Sequence, residues 1–216
     1  MIIAVDGIDG AGKGTQCRRL REAFEREGRR ARLVSFPVYE SFFGSMIAEY
    51  LNGKYGSLYE ADSKLIALLF AMDRKLFFEC NAACAGGSEI LICDRYVLSN
   101  MAHQGVKLEP SKRGEFYAWL KTLEFEVNGI PRPDRSIILD VGITNSAGNV
   151  IKKQHRAYTD LTFDLHENDP AYLQNTRSLF LELAQMENAA VIRCDEGGRL
   201  RSEADIAEEL FAAAAA

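Results

Sequence analysis

The hydrophobic pattern of the chain switches between short apolar runs and longer stretches with an apolar residue at every third or fourth place. The short runs are Ile2-Ile3-Ala4-Val5, Ala31-Arg32-Leu33-Val34-Ser35-Phe36, Glu89-Ile90-Leu91-Ile92-Cys93, Ser136-Ile137-Ile138-Leu139-Asp140-Val141 and Ala189-Ala190-Val191-Ile192-Arg193. Their length fits strands, and the third is apolar throughout after its first residue, which predicts a strand covered on both faces. The periodic stretches predict helices over Thr15–Arg26, Phe42–Leu51, Glu60 to about Cys84, Ser111–Asn128, a segment entered by Asp169-Pro170, and Ser202–Phe211. The longest carries Leu65, Leu68, Leu69, Met72, Leu76, Cys80 and Ala83 as one continuous stripe, and the Ser111 helix carries Phe116, Trp119, Leu120, Leu123 and Val127. Strands separated by helices predict an α/β fold in which a five-stranded parallel sheet has helices on both faces and ligands bind at the carboxyl ends of the strands. Between Thr144 and Leu165 the apolar pattern lapses into a polar, basic segment. Such a length suits a flexible lid, over about 144–167, within a single domain spanning 1–216.

At 216 residues and 47% apolar content, the chain is long enough to bury a core. The formal charge of −5 argues against a dedicated nucleic-acid binder. A strand begins at once, without a signal-type segment, and no apolar run approaches a membrane span, so a cytoplasmic setting is expected. The five cysteines, odd in number and mostly within apolar faces or strands, read as reduced core thiols. The Ala212–Ala216 tail reads as either a fraying helix end or a non-native addition.

Chemistry enters at Gly7-Ile8-Asp9-Gly10-Ala11-Gly12-Lys13-Gly14-Thr15, between the first strand and the first helix. A glycine, four residues and Gly-Lys form a phosphate-binding loop: backbone N–H groups turn inward, the helix adds its positive end, and the lysine reaches the terminal phosphates. This assigns Gly10, Ala11, Gly12, Lys13, Gly14 and Thr15 to ATP and makes the architecture a P-loop NTPase-type three-layer fold. Gly14 stands where Ser or Thr ordinarily holds magnesium, so carboxylates elsewhere must hold the ion. Asp94, directly after the third strand, is placed for that. Asp9 inside an anion-binding loop calls for a partner such as a sugar hydroxyl or Mg²⁺.

Gly7–Lys13, Phe36-Pro37, Leu69-Phe70-Ala71-Met72-Asp73-Arg74, Asp94-Arg95-Tyr96-Val97-Leu98-Ser99-Asn100, Pro131-Arg132-Pro133-Asp134 and Asp164-Leu165-His166-Glu167 occur in the order and spacing of the thymidylate kinases. The chain resembles that family from about residue 2 to residue 193. The resemblance implies that Phe70 stacks on thymine, Arg74 bonds a base carbonyl, Asn100 meets the pyrimidine edge, Arg95 grips the acceptor 5′-phosphate, and Asp9 accepts from the 3′-hydroxyl. Phe36, Tyr39, His103 and Gln104 complete the implied dTMP site. It further implies Asp164 and Glu167 near the metal, and a homodimer built on the long helix. Gly10 resembles members that carry the phosphoryl clamp in the lid, where Arg156 is the first choice, with Lys153 and Lys152 behind it. Two departures stand out: Val38-Tyr39 where an arginine is common, and His103 where many members have tyrosine guarding against a 2′-hydroxyl. The implied activity is transfer of the ATP γ-phosphoryl group to dTMP. A kinase of another pyrimidine monophosphate such as dUMP, and a noncatalytic nucleotide-binding regulator, remain alternatives at this level.

Overall fold

In the computed structural model, which describes residues 1–81, 89–152 and 169–216, strand β1 (Ile2–Asp6) is buried along its whole length because it is the central strand. It pairs in parallel with β3 (Ile90–Asp94) on one side and β4 (Arg135–Asp140) on the other. β2 (Ala31–Ser35) lies beyond β3, and β5 (Ala190–Arg193) beyond β4, giving the order β2-β3-β1-β4-β5. The order reverses between β1 and β3, which opens a crevice at their carboxyl ends. The phosphate loop follows β1 and Asp94-Arg95 ends β3, so both motifs meet there. The register Val5↔Asp94 is extended by a hydrogen bond from Arg95 N to Val5 O, 2.9 Å.

Helix α1 (Lys13–Arg26) and helix α8 (Glu203–Ala215) pack together on one side of the sheet. On the other side, α4 (Val97–Gly105) packs against α3 (Ser63–Cys80), α5 (Pro110–Lys121) and α7 (Pro170–Met186). The Pro131–Asp134 motif is scaffold: Asp134 Oδ2 accepts from Ile2 N at 2.6 Å, and Pro131 O accepts from the buried Tyr96 hydroxyl at 2.7 Å. A two-stranded ribbon, β6 (Asp195–Glu196) and β7 (Arg199–Leu200), turns through Gly197-Gly198, both at positive φ.

Five elements differ from the sequence expectation. Helix α3 begins at Ser63, where the side chain of Asp62 caps Lys64 N and Leu65 N. Its buried side is Ile66, Ala67, Ala71, Asp73, Arg74 and Phe78, whereas Leu65 is 65% and Leu68 37% exposed, so the leucine stripe is not the core face. Helix α4 was not legible from periodicity, because every residue of it is buried and no polar face marks its turns. The Ser111 helix continues from α5 into a π-helical segment, Thr122–Val127, whose widened turns swing Val127 outward to 70% exposure. Residues Ile143–Lys152 form helix α6, where the polar composition suggested loop. The alanine tail continues α8 to Ala215, with Ala214 buried.

Among the described residues, Cys17, Cys93 and Cys194 are buried thiols outside any disulfide, and Cys80, expected on an apolar face, is exposed. No helix among them is long and apolar enough to cross a membrane.

Candidate active site

The phosphate loop is shaped by what passes close to it. At Gly7, φ +142°, a Cβ would stand 2.5 Å from Leu139 O of β4. At Gly10, φ +74°, it would stand 2.3 Å from Ser146 O of α6. Helix α6 therefore lies directly on the loop, held by Ser146 Oγ donating to Asp9 O (2.6 Å) and Asn149 Nδ2 donating to Gly10 O (2.9 Å). Those two bonds explain why a polar sequence forms a helix here: its polar side chains satisfy loop carbonyls that would otherwise lack donors. Lys13 is buried, and its ammonium donates to Gly7 O (3.0 Å) and Ile8 O (2.8 Å), which anchors the charge on the loop. Gly12, at positive φ, caps α1, and Ala11 is buried beneath the turn. A Cβ on Gly14 would lie 3.4 Å from Asp94 Oδ2, so that carboxylate sits beside the first turn of α1, and Thr15 follows at the same end.

Arg95 leaves β3 with φ +72°, a left-handed conformation that a side chain rarely adopts. After this turn the guanidinium meets the loop. Its Nη2 lies 2.5 Å from Asp9 Oδ1, and its Nη1 donates to Gly7 O at 3.2 Å and Ser99 Oγ at 3.4 Å. Burial opposes the Arg95 charge, but Asp9 and Asp94 outweigh it and push the pKa up. Nη1 is also 3.3 Å from His103 Nε2. A guanidinium only donates, so Nε2 accepts and the ring proton resides on Nδ1, 3.0 Å from the Tyr172 hydroxyl. That hydroxyl in turn donates to His103 O at 3.0 Å. His103 is thus a neutral link in a chain of donors.

Asp9, Arg95 and His103 form one wall of a cavity of about 60 Å³, and Phe36, Tyr39, Phe70, Arg74, Asn100 and Gln104 line the remainder with Pro37, Leu51 and Ser99. All nine residues that the sequence assigns to the acceptor nucleotide are brought together. Phe70 and Arg74 share one face of α3, as their spacing of four requires. Asn100 and Gln104 do the same on α4. The amide of Asn100 is fixed by Nδ2 donating to Ala67 O at 3.0 Å, and its Oδ1 is buried without a partner among the described residues. Gln104 is fixed the opposite way: its Oε1 accepts from Lys107 at 2.6 Å, and its Nε2 is buried without a partner among the described residues. Both residues line the cavity, and behind its surface one acceptor and one donor, a helical turn apart, are buried without a partner among the described residues.

Sequence reasoning missed the residues behind this wall. Asp73 holds the loop after β2, its carboxylate accepting from Val38 N (2.8 Å) and Ser41 Oγ (2.5 Å). Asp6 holds the start of α4, with Oδ1 accepting from Tyr96 N (2.8 Å), Ser99 N (3.0 Å) and Ser99 Oγ (2.5 Å). Burial nonetheless raises the pKa of both acids. Arg74, expected to reach only a base carbonyl, is ion-paired with the buried Glu124. The available signal was a carboxylate on an otherwise apolar face, as at Asp6 and Glu124. Lys153, Arg156, Asp164 and Glu167 lie outside the described residues, while Lys152 closes α6. Among the described residues no group of three or more His, Cys, Asp or Glu could hold a metal ion by itself. Magnesium needs only one or two carboxylates when phosphates and waters supply the rest, so Asp94 beside the loop fits such an ion.

A family model described as thymidylate kinase matches residues 5–200. The chain is 34% identical over 185 residues to the thymidylate kinase of Mycobacterium tuberculosis, covering 85% of this chain and 86% of that protein. It is 31% identical over 194 residues to the probable thymidylate kinase of Methanosphaera stadtmanae, covering 88% and 87%. The structure of thymidylate kinase from Candida albicans superposes with a TM-score of 0.74 at 18% identity, over 98% of this chain and 89% of that one.

Proposed function

The chain belongs to the thymidylate kinase family, and on that premise we infer that it is an enzyme that transfers the γ-phosphoryl group of ATP to dTMP. The observation that carries the reading to this chain's own residues is the paired spare acceptor and donor of Asn100 and Gln104. Thymine offers an N3–H donor flanked by carbonyl acceptors, which that pair complements. Phe70 stacks on the base. Arg95 grips the 5′-phosphate and Asp9 accepts from the 3′-hydroxyl, their mutual ion pair holding both groups at the mouth of the phosphate loop. A noncatalytic regulator is disfavoured by the intact set of Lys13, Asp9, Asp94 and Arg95, and a dUMP kinase by the family.

The reaction needs positioning and charge neutralisation more than covalent chemistry. Lys13 and the N–H groups of Gly10, Ala11, Gly12, Gly14 and Thr15 cradle the ATP phosphates. Asp94 holds Mg²⁺, with Asp9, Asp164 and Glu167 as further candidates, and the ion when bound neutralises phosphate charge. A lid over about 144–167 closes on the nucleotide, with Arg156 supplying the clamp and Lys153 and Lys152 behind it. Helix α6, already seated on the loop, forms the lid's base. One domain spans 1–216. The uncovered Leu65 and Leu68 face of α3 pairs with a second copy to give a homodimer. The enzyme acts on free nucleotides in the cytoplasm, with neither nucleic acid nor membrane as partner.

The test is ADP production from ATP and magnesium with dTMP, dUMP or uridylate supplied separately. Turnover should depend on dTMP and fall by about a hundredfold or more in Lys13→Ala. Absence of turnover with every acceptor, from folded protein that binds ATP, would sink the reading.

A further inference from the structure

Arg74 and Asn100 share a partner that lies behind the cavity rather than in its wall. Glu124 is fully buried, and its Oε2 accepts from Arg74 Nε at 3.1 Å. Its Oε1 bonds Nη2 of the same guanidinium and accepts from Asn100 Nδ2 at 3.4 Å. It stands in the π-helical segment Thr122–Val127, the kind of irregular turn that recurs at functional sites. Its neighbours one and two turns back, Leu120 and Phe116, are buried apolar residues, so a leucine at this place would extend the core without desolvating a charge.

Two consequences follow from the bond pattern. The fork of Arg74 is fixed in plane and direction by two parallel bonds, and no hydrogen bond among the described residues engages its Nη1. The Asn100 amide cannot flip, because Nδ2 already serves Ala67 O and Glu124, which leaves Oδ1 as the acceptor. Glu124 thus fixes one donor and one acceptor on two residues that line the same cavity. A pyrimidine with a 4-oxo group and N3–H presents the matching acceptor and donor. A 4-amino pyrimidine reverses both, since its N3 accepts and its amine donates. We propose that Glu124 is a positioning residue that sets the preference of this cavity for 4-oxo over 4-amino pyrimidine nucleotides. The inference rests on the reading of the cavity as the dTMP site.

The experiment is steady-state kinetics of wild type and Glu124→Gln with dTMP and ATP, together with inhibition by dCMP. Glu124→Gln should raise KM for dTMP by roughly tenfold while kcat and KM for ATP stay within about threefold. The ratio of the dCMP inhibition constant to KM for dTMP should fall, because the unpaired fork and the freed amide lose their fixed polarity. A purely structural role would damage ATP and dTMP kinetics together and leave that ratio unchanged, and this result would overturn the proposal. A KM for dTMP within about threefold of wild type would do the same. Should Glu124→Gln not accumulate as folded protein, Glu124→Asp carries the test, since it keeps the charge but withdraws the carboxylate by one methylene. Wild-type protein without dTMP-dependent turnover would remove the underlying reading itself, which the same assay reports separately.

Discussion

The carbonyl of Ser146 decides what Gly10 can be. With a Cβ placed 2.3 Å from that oxygen and φ at +74°, a side chain at this position forces α6 off the loop. Gly10→Ala should weaken ATP binding, measured by titration calorimetry, and break the two bonds from Ser146 and Asn149; unchanged affinity would show that α6 yields at no cost. The same reasoning applies to the His103 chain, where one hydroxyl serves both a ring nitrogen and a backbone carbonyl. Tyr172→Phe removes the hydroxyl that accepts from Nδ1 and donates to His103 O. The Nδ1–H and the His103 carbonyl then lose these two hydrogen bonds, so stability should fall by about 1–3 kcal/mol in chemical denaturation. KM for dTMP should rise as the Arg95 contact loosens.

At the scale of elements, α3 carries two jobs on two faces. One face presents Phe70 and Arg74 to the cavity, and the other presents Leu65 and Leu68 to solvent in the single chain. An apolar face of that kind on a helix that already has a core side fits pairing with a second copy. Leu65→Glu with Leu68→Glu should therefore convert a dimer to a monomer by light scattering at micromolar concentration. A mass equal to one chain for wild type would end the dimer proposal. Phe70 and Arg74 ride on the same rigid helix, so loss of the dimer is expected to raise KM for dTMP more than KM for ATP. Helix α4 has no such division: buried on every side, it is held at its start by Asp6 and places Asn100, His103 and Gln104 along one cavity wall.

For the molecule as a whole, the buried polar layer behind the cavity ties stability to pH. Burial pulls the pKa of Lys107 from 10.5 down to about 7, although Asp62 acts in the opposite direction. Between those values the unfolded chain binds one more proton than the folded one, so stability rises with pH across that window. The slope for one such proton approaches about 1.4 kcal/mol per pH unit. Lys107→Met should flatten this rise, read as the difference in unfolding free energy between wild type and variant from pH 7 to pH 10. Taking the difference removes the opposing contribution of Cys17 and Cys194, whose thiols burial raises and whose effect begins near pH 9. A difference independent of pH would show that Lys107 is not desolvated. Lys107 also orients Gln104, so KM for dTMP is expected to follow the same titration.

The sequence by itself determined the five parallel strands and the phosphate loop, which depend on local signals: apolar runs of strand length and glycines at fixed spacing. The nine cavity residues came only from the resemblance of its ordered motifs to a family. Only tertiary structure decided the rest. The leucine stripe of α3 looked like a core face, but a period fixes which residues share a side and not which side meets the sheet; Ala67 and Ala71 are on the buried side because small residues permit close packing, and Phe78 packs there on Phe36 and Tyr96. Helix α4 was invisible because periodicity needs a polar face to contrast with. Helix α6 looked like loop because its polar side chains act on carbonyls more than 130 residues away in sequence. Asp6, Asp73 and Glu124 read as ordinary acids, since a carboxylate becomes a positioning group only when the fold buries it beside the donors it must hold.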